Sequence, residues 1–328
     1  MKNKRDTQIS VSITDNYIPI LLKTIRCNTC VGCDIFLKLC VNNKEQFVLY
    51  VSGETLINTS KIDRLLKEHV ERLYIRKEDC QKFFQYLESS LKKIIHDGTL
   101  KTEEKAGIVY DLAKNIMVDV LKNPRSGENI AHSRELISNT VEFIINNKDA
   151  SRSLINVLSY DYYTYTHSVN VSVLGLAFSR YLGFSIDELY SVGTGMMLHD
   201  VGKTRIVSEI VNKEGSLTEE EFEKMKEHVA FGVEILENVG GLDTRSLYSV
   251  AQHHEKYSGK GYPRGLQGED IHKYGQLACI VDVYDALTTR RSYSDARKPF
   301  TALKMMKNEM EGSFNEKLLM HFIRFLGS

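Results

Sequence analysis

A histidine and an aspartate stand side by side at the end of an apolar segment, and the run reads His199-Asp200-Val201-Gly202-Lys203. Imidazole and carboxylate groups are both ligands for divalent metals of hard or borderline character. Glycine lets the backbone turn sharply and approach a ligand closely. The lysine then places an ammonium near any anion that the metal holds. A buried ion pair is the alternative interpretation, and a metal site needs further ligands from elsewhere in the chain.

Further candidate ligands fall at helix ends or on helix faces between residues 167 and 282. The pair His253-His254 also closes an apolar segment, and a glycine-rich loop follows it at 258–265. An aspartate in an apolar run, such as Asp282, is costly to bury unless it is paired or metal-bound. A single helical histidine is more often a core or surface residue, but the joint occurrence favours a metal centre. Its candidate ligands are His167, His199, Asp200, His228, His253, His254 and Asp282.

The elements that must position these side chains are predicted to be helices. Apolar residues recur at helical spacing almost throughout the chain after Asp97-Gly98. The early helices are predicted over 103–122, 136–145 and 151–158. The helices that carry candidate ligands are predicted over 162–182, 186–198, 217–239, 247–255 and 271–287. A last helical pair is predicted from Phe300 onward.

The first part of the chain has a different pattern. Short β-like runs predict strands at 34–41, 46–51 and 73–75, with helices at 60–69 and 77–96. The predicted organisation is therefore mainly α, with a small α+β regulatory or sensory module at 1–96, connecting helices at 97–160 and a helical catalytic domain at 161–328. The helices from about residue 100 could also belong to the catalytic bundle or pair between subunits.

Composition limits the other functional classes. The 328 residues carry a formal net charge of zero, so no global basic footprint for a nucleic-acid polymer is present. No apolar run approaches the roughly 20 residues that span a bilayer. The charged first residues are not followed by an apolar signal-peptide core, and we expect a cytoplasmic protein without membrane contact.

Three closely spaced cysteines, Cys27, Cys30 and Cys33, resemble part of a zinc or iron–sulfur ligand set. A fourth ligand at Cys40 would sit at the end of a predicted strand, and no partner cluster exists. The favoured interpretation is reduced thiols in and beside a strand of a cytosolic protein.

With these residues in view, the second half of the chain resembles the HD-GYP branch of the HD-domain metal-dependent phosphohydrolases. The matching stretches are 167–170 (HSVN), 199–203 (HDVGK), 228–232 (HVAFG), 253–255 (HHE), 261–263 (GYP) and 281–288 (VDVYDALT). The resemblance covers about half of the chain, and residues 1–95 resemble more loosely the small modules that precede such domains.

The resemblance implies a helical bundle that holds two or three metals, commonly iron or manganese, and hydrolyses cyclic di-GMP to pGpG, GMP or both. By position, Asp200 would bridge the metals and act with Lys203 in catalysis. His167, His199 and Asp282 would lie on one side, and His228, His253 and His254 on the other. Lys203 and Arg291 would hold phosphate oxygens, and the loop Gly261-Tyr262-Pro263 would lie over the site.

The implied chemistry agrees with the residue types. Two divalent ions can share a hydroxide and neutralise charge on a phosphodiester. Imidazole and carboxylate ligands suit iron, with manganese as the alternative, and no thiolate is placed to favour zinc. Lysine and arginine add fixed positive charge where oxyanion charge grows.

Three positions depart from the family pattern. Tyr163 replaces a glutamate that holds a third metal in some members, so we expect two metals per chain. Ser258 replaces an aspartate in the loop after the paired histidines, and Ser294 replaces a second basic residue after Arg291. Two alternatives to cyclic di-GMP hydrolysis therefore stay open. They are hydrolysis of another cyclic dinucleotide such as 3',3'-cyclic GMP-AMP, and a low-turnover cyclic-dinucleotide receptor. A homodimer through the helices of 100–160 and signalling-protein partners are further expectations.

Overall fold

The computed structural model describes residues 16–41, 44–159, 163–290 and 296–327. Arg291 and Ser294 lie outside the described residues. The chain divides into two compact units, of which the first ends at Leu100 and the second begins at Lys101. Each unit has its own buried core, and the candidate ligands all belong to the second.

The first unit contains a four-stranded antiparallel sheet and two helices. The strands are β1 (Tyr17–Leu21), β2 (Ile35–Val41), β3 (Lys44–Val51) and β4 (Arg72–Arg76), in the order β1-β4-β2-β3. The helices are α1 (Thr59–Lys67) and α2 (Cys80–Ile95). Strand β1 was not predicted as a separate strand, because it is short and contains Pro19. Its place at the edge of the sheet tolerates a proline, which cannot donate to a neighbouring strand.

The cysteines of the first unit are free thiols. The Cys30 thiol donates to the Gly53 carbonyl at 2.6 Å. Cys33 is buried, and burial raises the pKa of its thiol to about 12, so it remains protonated at neutral pH. Throughout the described ranges, the groups able to hold a metal contain no cysteine and lie in the second unit.

The second unit is helical. Its first helices are α3 (Thr102–Lys122), α4 (Gly127–Asn146), α5 (Ala150–Asn156), α6 (Thr164–Tyr181) and α7 (Ile186–Leu198). These are followed by α8 (Ser208–Val211), α9 (Glu219–Lys226), α10 (His228–Val239), α11 (Ser246–Gln252), α12 (Lys273–Thr288), α13 (Pro299–Asn308) and α14 (Glu316–Leu326). Helices α6 and α12 are buried on most sides, as expected for central helices that lack a polar face. The two helices share one hydrophobic core, which contains Phe178 of α6, Tyr274 of α12 and Phe322 of α14.

The predicted helix over 217–239 is interrupted in the structure. Thr218 caps α9 together with Glu221, as the capping-box pattern predicts, but α9 ends at Lys226 and α10 begins at His228. His228, expected at the edge of an apolar face, is completely buried. Periodicity could not show the break because apolar residues continue across it.

Helix α4 begins at Gly127, well before the predicted start at residue 136. Ser126 caps it by accepting the Asn129 N–H. Its first turns carry few apolar residues, and apolar spacing alone is therefore a weak signal there. Among the described residues, no helix is both long enough and apolar enough to cross a lipid bilayer.

Candidate metal centre

The seven predicted ligands converge in the second unit from five helical elements. His167 comes from α6 and Asp282 from α12, while His199 and Asp200 follow the end of α7. His228 is the first residue of α10, and His253 and His254 are the two residues after α11. They form three overlapping groups whose ligand atoms lie within 4.8 Å of one another: His228, His253 and His254; His167, His199 and Asp282; and His199, Asp200 and His253.

Asp200 lies between the histidines of the two sides. Its Oδ1 is 3.4 Å from His228 Nε2 and 3.9 Å from His253 Nε2. Its Oδ2 is 3.5 Å from His199 Nε2 and 3.7 Å from His167 Nε2. One oxygen therefore faces each side, which is the geometry that a bridging carboxylate requires.

Asp282 joins the same cluster from helix α12. Its Oδ1 lies 3.0 Å from His167 Nε2, and its Oδ2 lies 3.8 Å from His254 Nδ1. The helix that carries it is tightly packed, so the position of the carboxylate is set by the core.

Backbone carbonyls orient three of the histidines. The Nδ1 atoms of His199, His228 and His253 lie 2.7, 2.6 and 2.9 Å from the carbonyl oxygens of residues 196, 225 and 250. A carbonyl can only accept, so each Nδ1 carries the proton and each Nε2 keeps its lone pair for the cluster. The tautomers are therefore those of metal ligands.

His167 is oriented by a carboxylate instead. Its Nδ1 donates to Asp285 Oδ2 at 2.7 Å, and Asp285 Oδ1 accepts from Asn170 Nδ2 at 2.9 Å. Asp285 and Asn170 belong to the matching stretches, but no role was predicted for them from the sequence. Each lies three residues after a candidate ligand on the same helix, and this spacing was the available signal.

Electrostatics keep the donors in their binding forms. Burial lowers the pKa of His228 to about 4 and that of His254 to about 3, and it also lowers the pKa values of His199 and His253. Burial opposes the charge on Asp200, but the Lys203 ammonium holds the pKa of its carboxyl well below the usual range. The imidazoles are thus neutral and this carboxyl is ionised at neutral pH.

Two buried atoms test whether the cluster fits a metal. His199 Nε2 and Asp200 Oδ1 have no hydrogen-bond partner within the part of the chain that the structure describes. Unpaired buried polar atoms are expensive unless something else satisfies them. Imidazole nitrogens and carboxylate oxygens that converge around such atoms fit a divalent ion.

A cleft of about 850 Å³ opens onto the cluster. His167, His228, His254 and Asp282 line it together with Lys203. The Lys203 Nζ lies 2.5 Å from Asp200 Oδ2, which places its ammonium at the junction of the cluster and the cleft.

The predicted Gly-Tyr-Pro loop lies partly over this cleft. The Tyr262 ring lines the cleft and packs on the His254 ring, with centroids 4.6 Å apart. Gly261 packs against the backbone of residues 254–256, where a side chain would not fit. Pro263 is exposed and does not line the cleft.

Glu255 holds this loop in place. Its carboxylate is buried and accepts the backbone N–H groups of Arg264 at 2.8 Å and Leu266 at 3.0 Å. Glu255 belongs to a matching stretch, but no function was predicted for it from the sequence. Its position directly after two candidate ligands was the only signal.

Gly202 was expected to let the backbone approach a ligand closely, but it contacts another segment of the chain. Gly202 packs against the backbone of α10, where a Cβ would lie 1.9 Å from the His228 carbonyl oxygen. The close approach is therefore between two segments of the chain that carry ligands.

The three departures from the family pattern occupy different places. Tyr163 is 58% exposed, lines the cleft and stacks on Tyr165. Ser258 lies outside the cleft lining, and its N–H donates to the Gly312 carbonyl at 2.8 Å. Ser294 lies in the part of the chain that is not described.

Among known proteins, a Pseudomonas aeruginosa protein named cyclic di-GMP phosphodiesterase is 31% identical over 229 residues, which are 68% of this chain and 54% of that protein. A Vibrio cholerae protein named 3'3'-cGAMP-specific phosphodiesterase 2 is 35% identical over 175 residues, which are 50% of this chain and 32% of that protein. The chain thus spans about half the length of the first relative and about a third of the second.

A solved structure shares the fold. It is described as an HDG"Y"P protein from Bdellovibrio bacteriovorus and has a TM-score of 0.67 at 22% identity, covering 95% of this chain and 100% of that chain. The family model of the HD domain matches residues 133–318, which include all seven candidate ligands. The chain therefore belongs to the HD domain family.

Proposed function

We propose that this protein is a metal-dependent phosphodiesterase that hydrolyses cyclic di-GMP to pGpG, GMP or both. The observation that carries the proposal is the convergence of six other candidate ligands, all nitrogen or oxygen donors, around Asp200, at the base of a cleft that Lys203 lines. The name of the Pseudomonas aeruginosa relative supports cyclic di-GMP as the substrate.

The proposed centre divides the ligands between two divalent ions, iron with manganese as the alternative. His228, His253 and His254 would hold one ion, and His167, His199 and Asp282 the other. When bound, the ions would neutralise charge on the phosphodiester and make a coordinated water more acidic. Asp200 would serve both ions, because one of its oxygens faces each histidine group.

Lys203 and the loop residue Tyr262 would act on the substrate. The Lys203 ammonium lies at the edge of the cleft, where it can attract a phosphodiester and stabilise the negative charge that grows during hydrolysis. Tyr262 covers His254, excludes water from that side and offers an aromatic ring to a base. Arg291 is proposed as a second phosphate contact.

The activity is tested directly by incubating anaerobically purified protein, loaded with Fe(II) or Mn(II), with cyclic di-GMP. Chromatography should resolve pGpG or GMP as products. The variant carrying His199→Ala and Asp200→Ala should lose turnover and bound metal, while His321→Ala, an exposed histidine on α14, should keep both. Turnover that survives in the double variant would refute the assignment of the metal centre.

A second candidate substrate is 3',3'-cyclic GMP-AMP, because the Vibrio cholerae relative carries that name. The two dinucleotides differ in one base, so the comparison isolates base recognition. Measuring kcat/KM for both with the same metal-loaded protein decides between them. Tight binding of either compound without turnover would instead favour a receptor.

A further inference from the structure

A buried hydrogen-bond chain joins helix α3 to the candidate ligand His167. The Tyr110 hydroxyl on α3 donates to Asn170 Oδ1 at 2.8 Å. Asn170 Nδ2 donates to Asp285 Oδ1 at 2.9 Å, and Asp285 Oδ2 accepts from His167 Nδ1 at 2.7 Å. Three helices, α3, α6 and α12, therefore meet through side chains that end on the metal cluster.

The Ser159 backbone fixes the direction of this chain. Its N–H donates to the Tyr110 oxygen at 2.8 Å, and its carbonyl accepts from Asn170 Nδ2 at 3.0 Å. Because the Tyr110 oxygen already accepts a hydrogen, its own proton is directed to Asn170 Oδ1. The Asn170 amide consequently turns its NH2 group towards Asp285.

This orientation matters for the ligand. If the Asn170 amide rotated by half a turn, its oxygen would face the Asp285 carboxylate, and two acceptors would meet. The correct orientation leaves Asp285 to accept from His167 Nδ1. His167 Nε2 then keeps its lone pair towards Asp200 and Asp282, as a metal ligand must.

Water cannot reach this hydrogen-bond chain to replace a hydrogen bond that is lost. Tyr110, Asn170, Asp285 and His167 are each at most 3% exposed. Burial also raises the pKa of Tyr110 to about 12, so the phenol keeps the proton that it donates. Removing a partner from such a buried network leaves an unsatisfied group rather than a hydrated one.

We propose that Tyr110 is a positioning residue for the metal centre, which holds His167 in its ligand tautomer through Asn170 and Asp285. The inference rests on the metal site of the proposed function but not on the identity of the substrate. Under this proposal, a residue of α3, the first helix of the second unit, affects the affinity of the site for metal.

The test is Mn(II) binding by the metal-free full chain, measured by electron paramagnetic resonance and calorimetry. Tyr110→Phe removes only the hydroxyl and should weaken binding at the His167 site roughly tenfold, the lower end of the effect expected for groups that orient metal ligands. Asn170→Ala should weaken it at least as much. The double variant should be no weaker than Asn170→Ala alone, because both changes break one network.

The first unit supplies a matched control. Tyr86 is a buried tyrosine whose oxygen accepts the Arg26 backbone N–H at 2.7 Å, so Tyr86→Phe removes an equivalent hydroxyl from the unit that holds none of the candidate ligands. It should leave Mn(II) affinity unchanged.

Unchanged affinity in Tyr110→Phe, or equal losses in Tyr110→Phe and Tyr86→Phe, would overturn the proposal. If Tyr110→Phe does not fold, Asn170→Ala alone decides: wild-type affinity in that variant would overturn the proposal. Wild-type protein that binds Mn(II) but hydrolyses no cyclic dinucleotide would refute the proposed function alone.

Discussion

Gly202 and His228 are in such close contact that a Cβ on Gly202 would lie 1.9 Å from the His228 carbonyl oxygen and 2.5 Å from the Gly232 nitrogen. Both atoms belong to the backbone of α10, so neither can move aside as a flexible side chain would. This contact sets the distance between the turn that carries Asp200 and the helix that begins with His228.

Replacing Gly202 with alanine should therefore separate these two ligand-bearing segments. We expect Gly202→Ala to lower the free energy of unfolding by ~3 kcal/mol, the upper range for overpacking, and to lose Mn(II) affinity. Chemical denaturation of the metal-free protein and metal titration check both effects. Gly107→Ala is the control, since a Cβ there meets nothing within 4 Å on α3 and should be neutral or stabilising. Equal behaviour of the two variants would contradict the prediction.

The number of bound metals should be two per chain. Tyr163 occupies the position at which the family resemblance places a glutamate for a third metal, and a phenol is a poor substitute for a carboxylate. Tyr163→Glu should raise the metal content towards three, whereas Tyr163→Phe should leave it at two. Elemental analysis of anaerobically purified protein measures this, and three ions per wild-type chain would refute the two-metal site.

Lys203 should contribute more to turnover than to metal binding. Lys203→Gln removes the ammonium that lies at the cleft, and we expect kcat/KM to fall by ~10²-fold with metal content largely retained, as for loss of one transition-state donor. Steady-state kinetics with cyclic di-GMP check this. Lys224→Gln, an exposed lysine paired with Glu220, is the control that should change kcat/KM little. Equal activity in both lysine variants would contradict the proposed role.

Glu255 should act on substrate affinity through the loop that it holds. In Glu255→Gln, one oxygen is replaced by an NH2 group that faces the backbone N–H of either Arg264 or Leu266, and two donors then meet. We expect KM for the cyclic dinucleotide to rise about tenfold while the metal content is kept. Glu269→Gln, whose carboxylate accepts the Tyr257 hydroxyl at the surface, is the matched control. A variant that loses metal instead would show that Glu255 supports the ligands directly.

The stability of the second unit should depend on pH through Glu188. Its pKa is lowered to about 2, first by the ion pair with Lys273 and then by hydrogen bonds from Ser185. A lowered folded-state pKa means that the stabilisation is complete above the ordinary value near 4.5 and is lost as the pH falls towards 2. Glu188→Gln keeps a capping side chain but loses the charge, and should cost about 0.5–1 kcal/mol at pH 7. The difference from wild type in chemical denaturation should shrink between pH 5 and pH 3, and a difference that grew in that range would contradict the assignment.

Most helices of the second unit could be predicted because apolar residues repeat at helical spacing where one face is buried. Two details could not. The break at Glu227 has no local signal, since apolar residues continue through it, and it arises where the turn containing Gly202 packs against α10. The edge strand β1 was missed because pairing with β4, and not its own five residues, makes it a strand.

The order of residues along the chain determined which side chains could bind a metal. Histidines and aspartates at helix ends inside apolar runs are costly to bury unless they are paired or bind a metal. It also carried the motifs of the family. Only the tertiary structure decided that one Asp200 oxygen faces each histidine group, that Asp285 and Asn170 orient His167, and that Tyr110 completes their network. These contacts join residues separated by up to 118 positions in the sequence. The packing of the helices brings such residues together in space, and the local spacing of residues in the sequence cannot show this.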